Sequence, residues 1–327
     1  ATHLRERDAD GHEPPTTGEQ SPFLEAVEEE PLVNEELPET NPDAVLRSGS
    51  PQADRIKKQA EAIKDDIRLE ISFDIPIVLN ERVAYFLDYF QTVVHERFSI
   101  WLARSTKYLP RMKQVFRQQG LPEDLVYLAL IESGFNPRAV SRAAAVGPWQ
   151  FISATGSRYG LRQDRWVDER RDFEKATFAA AAYLTGLHNE FGSWYLAAAA
   201  YNCGEGRIRR VIRNLNTQDY WEMCDQQAIA RETRDYVPEM IAAILIAKEP
   251  HKYGFGDVCF ETPNEWDIAE LGRPTDLRLV AELCGTDPDV LKELNPELRH
   301  NWTPPARSGA AYKLRVPAGS KDQLLAR

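Results

Sequence analysis

The carboxyl group of Glu132 occupies a position in the sequence that suits a general acid. It lies near the end of an apolar stretch, residues 121–134, which is expected to form a buried helix. Leu125, Leu128 and Ala129 precede Glu132 by seven, four and three positions, so a helix would place all four on one stripe. Burying a carboxylate is costly unless it is paired or protonated, and burial therefore raises its pKa. We expect this group to donate a proton during a reaction.

Three further clusters place polar side chains beside small or apolar ones. The loop of residues 141–151 contains Gln150, a predicted helix ends at Tyr201-Asn202, and Tyr236 lies near the start of another predicted helix. Taken singly, each has an ordinary structural explanation as a core residue or a helix cap. Taken together, Gln150, Tyr201, Asn202 and Tyr236 are expected to line a cleft that offers hydrogen bonds and stacking faces to a sugar.

The elements that must position these residues are predicted to be helices. Apolar residues recur with helical periodicity from Asn80 onward, and no strand-rich section follows before residue 250. Helices are predicted over residues 109–119, 121–134, 176–191, 194–202 and 231–248. We therefore predict a mostly α domain over residues 80–255.

The pattern changes after Gly254. An extended segment is predicted over residues 257–262, followed by helices over 276–284 and 287–294 and a short strand over 312–317. This order predicts a small α+β module of βααβ type within residues 256–327.

The acidic character of the chain belongs to its first fifty residues. Residues 1–50 contain 13 acidic and 3 basic residues, so they account for −10 of the net charge of −11. We predict that this segment is a disordered tail and that residues 51–79 are a lead-in, first helical and then extended. The remainder is nearly neutral, which argues against nucleic acid as a partner.

The cysteines and histidines show no metal-ligand spacing, so neither a metal nor an organic cofactor is expected. The even number of cysteines, four, is compatible with disulfides in an oxidising compartment and equally with buried free thiols.

No run of about 18 apolar residues is present, so no membrane span is predicted. Since the sequence starts without a hydrophobic signal region, the protein is expected to be cytoplasmic or to have lost an export signal.

The polar clusters also occur in a recognisable order. In chain order they read Glu132-Ser-Gly134, Gly147-Pro-Trp-Gln-Phe151, Ala200-Tyr-Asn-Cys-Gly204 and Glu232-Thr-Arg-Asp-Tyr-Val-Pro238. This arrangement resembles the catalytic domain of the soluble lytic transglycosylases, and within that family the membrane-bound lytic murein transglycosylase D type. The resemblance covers roughly residues 70–255.

The resemblance implies a lysozyme-like α fold and cleavage of the β-1,4 bond between N-acetylmuramic acid and N-acetylglucosamine in peptidoglycan. Glu132 would protonate the glycosidic oxygen and then act as base on the muramic C6 hydroxyl, giving a 1,6-anhydro end. Ser133 would orient Glu132 or a sugar substituent. The positions that match substrate-binding residues of the family are Gln150, Tyr201, Asn202 and Tyr236.

The sequence departs from the family pattern at two positions. Ala144 stands where a glycine is usual, which matters if the backbone there needs a positive φ. Cys203 replaces the commoner alanine and places a thiol beside the expected cleft, where pairing with Cys224 stays open.

The C-terminal module resembles a divergent LysM domain through residues 290–296 and 314–317. The opening motif of that domain is not recognisable. Glycan binding and simple bracing of the catalytic domain are therefore both open.

Two other functions remain as alternatives. A hydrolytic lysozyme related to the goose type would need a second carboxylate, for which Asp168 and Glu169 are the candidates. A non-catalytic peptidoglycan-binding scaffold would not need Glu132.

The resemblance also implies a monomer in the periplasm of a Gram-negative bacterium, and allows an outer-membrane association through a lipid anchor that has been removed.

Overall fold

The computed structural model describes residues 38–66, 72–307 and 309–325. The first part of this range forms six α-helices, with a 3₁₀ helix over Glu123–Tyr127 directly before α5: α1 (Pro42–Arg47), α2 (Pro51–Asp66), α3 (Glu81–Thr92), α4 (His95–Gln118), α5 (Leu128–Ser133) and α6 (Ser153–Arg158). The next five are α7 (Phe173–Phe191), α8 (Trp194–Cys203), α9 (Glu205–Leu215), α10 (Tyr220–Asp225) and α11 (Arg231–Lys248). The C-terminal part consists of β1 (Trp266–Leu271), α12 (Leu277–Cys284), α13 (Pro288–Leu294), β2 (Tyr312–Pro317) and α14 (Lys321–Leu325). The predicted fold class, a mostly α domain followed by a small α+β module, is confirmed.

A tightly packed group of helices surrounds the centre of the larger domain. Helix α8 contains four consecutive alanines, Ala197 to Ala200, and all four are fully buried. Because alanine has a small side chain, α7 and α11 pack closely against α8, and α11 also packs against α5. This packing brings helix segments that are far apart in the sequence to one place.

The module has its own apolar core, built from residues of both strands and α12 to α14. Strands β1 and β2 pair antiparallel, with Trp266 opposite Pro317 and Leu271 opposite Tyr312. The extended segment predicted over residues 257–262 is not a strand of this sheet, and that prediction is wrong. Residues there run along α4 instead, where the Glu261 N–H donates to the Ala103 carbonyl at 3.0 Å.

The module also packs firmly on the larger domain. The Arg315 guanidinium donates to both carboxylate oxygens of Asp172 at 3.0 Å and lies over the rings of Phe173 and Trp266. The Asp168 N–H donates to the Glu297 carbonyl at 2.8 Å. These contacts fix the module against the loop that precedes α7.

The prediction of a disordered tail over residues 1–50 is wrong for its last part; residues 1–37 lie outside the described residues. Asn41 caps α1 by accepting a hydrogen bond from the Ala44 N–H at 3.1 Å. Asp43 forms ion pairs with Arg82 and Arg234. Composition alone could not predict this helix, because its charged partners come from distant helices.

All four cysteines are free thiols in the structure. Cys224 is buried, and burial raises the pKa of its thiol to about 11. The sequence is compatible with disulfides or with buried free thiols; in the structure all four thiols are free, but only Cys224 and Cys284 are buried. Among the described helices, none is both long and apolar enough to cross a membrane.

Candidate active site

A cleft of about 1130 Å³ opens between α4, the C-terminal end of α5, the loop that follows it, and α8. Five of the six site residues predicted from the sequence line it: Glu132, Ser133, Gln150, Tyr201 and Asn202. The sixth, Tyr236, is buried and contacts Glu132 with its hydroxyl. The fold therefore gathers all six predicted residues in one place.

Glu132 reaches the cleft because α5 ends directly after it. Gly134 and Phe135 both adopt a left-handed backbone conformation, with φ of +58° and +57°. Their N–H groups return to the carbonyls of Leu130 and Ala129 at 2.8 and 3.1 Å and close the helix. A Cβ at Gly134 would lie 2.2 Å from the Trp101 ring, so only glycine fits here.

The electrostatic surroundings of Glu132 favour its protonated form. Burial raises the pKa of Glu132 to about 7, the negative charge of Glu232 acts in the same direction, and the hydrogen bond from Tyr236 lowers it. The Tyr236 hydroxyl donates to Glu132 Oε1 at 2.5 Å. A carboxyl group of this kind is divided between its acid and base forms near neutral pH, so it can both donate and accept a proton.

Ser133 and Gln150 hold the loop that follows α5. Ser133 Oγ lies 2.9 Å from the Pro148 carbonyl and accepts from the Asn136 N–H at 3.2 Å. The Gln150 amide donates to the carbonyls of Gly147 and Ala139. The structure thus gives both residues a bracing role.

Tyr201 and Asn202 come from the C-terminal end of α8. The Tyr201 hydroxyl donates to the Trp149 carbonyl at 2.7 Å, and burial, with the charge of Glu132 as a smaller contribution, raises the pKa of Tyr201. Asn202 donates to Glu232 Oε1 at 3.2 Å and accepts from the Thr233 hydroxyl at 2.8 Å. Asn202 therefore connects the cleft to the first turn of α11, and Tyr201 connects it to the loop of residues 141–151.

Ala144 lies in the same loop with φ of +58°. Position 144 therefore has a positive φ, which favours glycine. The alanine is strained there, at a position where the resembled family usually has glycine. Gly147, three residues later, has φ of +84°, and a Cβ there would lie 1.8 Å from the Arg170 carbonyl oxygen. Glycine is thus present at position 147, where a side chain would clash, and is absent at position 144, where alanine is only strained.

Two acidic side chains of α11, Glu232 and Glu239, influence Glu132 and were not predicted as part of the site. Glu232 lines the cleft, and burial raises the pKa of Glu239 to about 8, with Glu132 as the first of several negative neighbours that add to the shift. Both lie on the helical stripe of Tyr236, four residues before and three after it. That spacing was the available signal.

The two carboxylates considered for a hydrolytic mechanism lie elsewhere. Asp168 accepts from Arg170 at 2.7 Å and from Arg299 of the module at 3.2 Å, and it lines a different cavity. Glu169 pairs with Lys175 at 2.6 Å. Neither lines the cleft of Glu132, so both candidates were wrong.

Two protein families match separate parts of the chain. Residues 112–224 match the transglycosylase SLT domain, and residues 267–326 match the LysM-like domain of lytic transglycosylase MltD. The first match contains five of the six predicted site residues, and the second contains most of the module.

Curated relatives extend the similarity over most of the chain. The membrane-bound lytic murein transglycosylase D of Escherichia coli strain K12 is 31% identical over 284 residues, which are 85% of this chain and 55% of that protein. The membrane-bound lytic murein transglycosylase C of Pectobacterium atrosepticum is 28% identical over 43% of this chain and 46% of its own length. The chain thus spans about half the length of these relatives.

Among solved structures, the 70 kDa soluble lytic transglycosylase Slt70 of Escherichia coli is similar over 69% of this chain and 39% of its own. The TM-score is 0.39 at 19% sequence identity, a level that supports no conclusion about fold or function.

Proposed function

We propose that this chain, which matches a transglycosylase SLT domain followed by an MltD LysM-like domain, cleaves peptidoglycan as a lytic transglycosylase. Its substrate would be the β-1,4 bond between N-acetylmuramic acid and N-acetylglucosamine. The observation that carries the proposal is the half-buried Glu132 carboxyl, with its raised pKa and its 2.5 Å hydrogen bond from Tyr236, inside a cleft large enough for sugars.

In the first step, protonated Glu132 donates its proton to the glycosidic oxygen while the bond from that oxygen to muramic C1 breaks. N-acetylglucosamine leaves with a free hydroxyl, and positive charge develops at C1. The neighbouring N-acetyl group of the substrate can support this charge, which is a recognised exception to the scheme with two enzyme carboxylates.

In the second step, Glu132 is a carboxylate and accepts the proton of the muramic C6 hydroxyl. The C6 oxygen attacks C1 and closes a 1,6-anhydro ring, and Glu132 is protonated again. Tyr236 donates to the carboxylate throughout, so its hydrogen bond is expected to be strongest in the charged form between the two steps.

Mass spectrometry of the fragments from purified peptidoglycan tests this proposal. A 1,6-anhydro end is lighter than a reducing end by one water, so anhydro fragments are expected. Reducing ends would indicate hydrolysis instead, with Glu232 or Glu205, the other carboxylates that line the described cleft, as candidates to activate water. A non-catalytic scaffold would release no fragments, and its effects in the cell would be the same in Glu132→Gln as in the wild type.

The two relatives compared above, from Escherichia coli and Pectobacterium atrosepticum, are named as membrane-bound lytic murein transglycosylases. We propose the periplasm as the location of this chain, with an association with the outer membrane. We also propose that it acts as a monomer. Fractionation of cells that express the full protein, followed by sedimentation of the purified protein, tests both.

A further inference from the structure

A second cavity, of about 470 Å³, lies between the larger domain and the module and has no part in the reaction proposed above. Its lining comes from the loop that follows α5, the segment before α7, and α13 with the residues that follow it. Six Arg and Lys side chains line it, with Asp168 as the one carboxylate among the described lining residues: Arg138, Arg165, Arg170, Arg171, Lys292 and Arg299.

Two arginines of this cavity are not neutralised by a carboxylate: Lys292 pairs with Asp289 outside the cavity, whereas Arg165 and Arg171 form no ion pair with a described residue. Asp168 is shared by Arg170 and Arg299. Arg171 Nε is buried and has no hydrogen-bond partner among the described residues. Burial lowers the pKa of Arg171, which means that its charge is poorly solvated; Asp168 opposes this effect and Arg299 adds to it. A buried donor next to several cations is the arrangement that an anionic ligand would satisfy.

The cavity also lies next to the cleft of Glu132. The chain turns back on itself between them, where Val140 and Val146 form a bridge. These two valines line the second cavity, whereas Ser141 and Ala145, their neighbours in the turn, line the cleft. One short loop therefore separates the cleft from the second cavity. A branch of a glycan strand bound in the cleft would reach the second cavity by crossing this loop.

We propose that the second cavity binds carboxylate groups of the peptide stems that branch from the glycan strand. This inference rests on the proposed function, because muramic acid carries those stems in peptidoglycan. Stem peptides present several carboxylates along a short flexible chain, and guanidinium groups bind carboxylates in bidentate fashion. The module would then contribute to substrate recognition through Lys292 and Arg299 at the edge of the cavity.

A direct binding experiment uses the full chain and a free stem tetrapeptide, L-Ala-γ-D-Glu-meso-diaminopimelate-D-Ala, in a calorimetric titration. Binding is expected to weaken about tenfold in Arg171→Gln and in Arg165→Gln, whose side chain is exposed and whose loss should not disturb folding. Arg117→Gln, which removes an exposed arginine on α4, is the matched control and should bind as the wild type does. Equal binding by all variants, or equal binding of a tetrapeptide with amidated carboxyl groups, would overturn the proposal.

A cleavage experiment separates this inference from the proposed function. Wild type and Arg171→Gln are compared on peptidoglycan with its stems and on the same strands after an amidase has removed them. We expect kcat/KM of the variant to fall about tenfold more on the stem-bearing strands. Equal losses on both substrates would contradict stem binding while leaving the transglycosylase proposal intact, whereas wild-type cleavage of neither substrate would refute the proposed function.

Discussion

Glu132 and Asp168 are two carboxyl groups in the same domain with opposite surroundings. Glu132 faces the cleft beside a tyrosine hydroxyl and the negative charge of Glu232, and burial raises its pKa to about 7. Asp168 is buried beside Arg170 and Arg299, which outweigh the effect of burial and lower its pKa. The comparison teaches that burial alone does not make a carboxyl group an acid catalyst; the charge of its neighbours decides.

The two groups also contribute to stability with opposite dependence on pH. Glu132 binds its proton more tightly in the folded state, so its contribution falls as pH rises from its unfolded value of 4.5 through about 7. Asp168 binds its proton less tightly when folded, so its contribution is present above 3.8 and is lost as pH falls below that value.

Glu132→Gln is expected to have the largest effect. Removing the proton donor should lower kcat by about 10³-fold, within the range for general acid catalysis. The free energy of unfolding at pH 8 should rise by about 1 kcal/mol, because the variant no longer buries a charge. Turnover and denaturant unfolding measure the two effects, and Glu190→Gln on α7 is the control. Residual activity within tenfold of the wild type would contradict the role given to Glu132.

Asp168→Asn tests the other side of the comparison. It should lower the free energy of unfolding at pH 7 by about 3 kcal/mol, since it removes one partner of a buried ion pair. The loss should shrink in denaturant titrations below pH 4. Activity on peptide-free strands should fall far less than in Glu132→Gln. A loss of turnover comparable to that variant, without a loss of stability, would revive Asp168 as a catalytic carboxylate.

Tyr236→Phe and Glu232→Gln should move the alkaline limb of the pH–activity profile in opposite directions. The Tyr236 hydroxyl lowers the pKa of Glu132 and the Glu232 charge raises it. In the proposed mechanism the first step requires protonated Glu132, so the limb should move to higher pH in Tyr236→Phe and to lower pH in Glu232→Gln. We expect kcat of Tyr236→Phe to fall about tenfold. Shifts in the same direction in both variants would refute this account of tuning.

Ala144→Gly should have the smallest effect, a slight gain in stability. It relieves the strain of an alanine at φ of +58°, so the free energy of unfolding should rise by about 0.5 kcal/mol after the entropic cost of glycine. A thermal melt at fixed pH measures the change. A loss of stability would mean that the alanine side chain makes contacts worth more than the strain.

The site could be predicted from the sequence where one helix carried the information. The apolar stripe before Glu132 predicted a buried acid, and the end of α8 predicted Tyr201 and Asn202 at the cleft. The contact of Tyr236 with Glu132 could not be predicted, because it depends on how α11 packs against α5 across 104 residues of sequence. Asp168 was misjudged for the same reason, since one of its partners comes from the module.

The helices and strands could also be predicted where the local sequence pattern determined them. Helix α11 and strand β2 were predicted with the bounds that the structure has, because each has a long or regular apolar pattern. Helix α1 was missed because the ion pairs of Asp43 stabilise it from other helices. The strand predicted over residues 257–262 was misplaced because a few β-prone residues cannot reveal which segment faces β2.

The most direct measurement is an NMR titration of the protein with ¹³C-labelled glutamate carboxyl groups. One resonance, absent from Glu132→Gln, should titrate near pH 7, and it should move to a higher pKa in Tyr236→Phe and a lower one in Glu232→Gln. A Glu132 resonance that titrates near 4.5, the ordinary value of a glutamate, would contradict the claim that this fold prepares Glu132 to donate a proton.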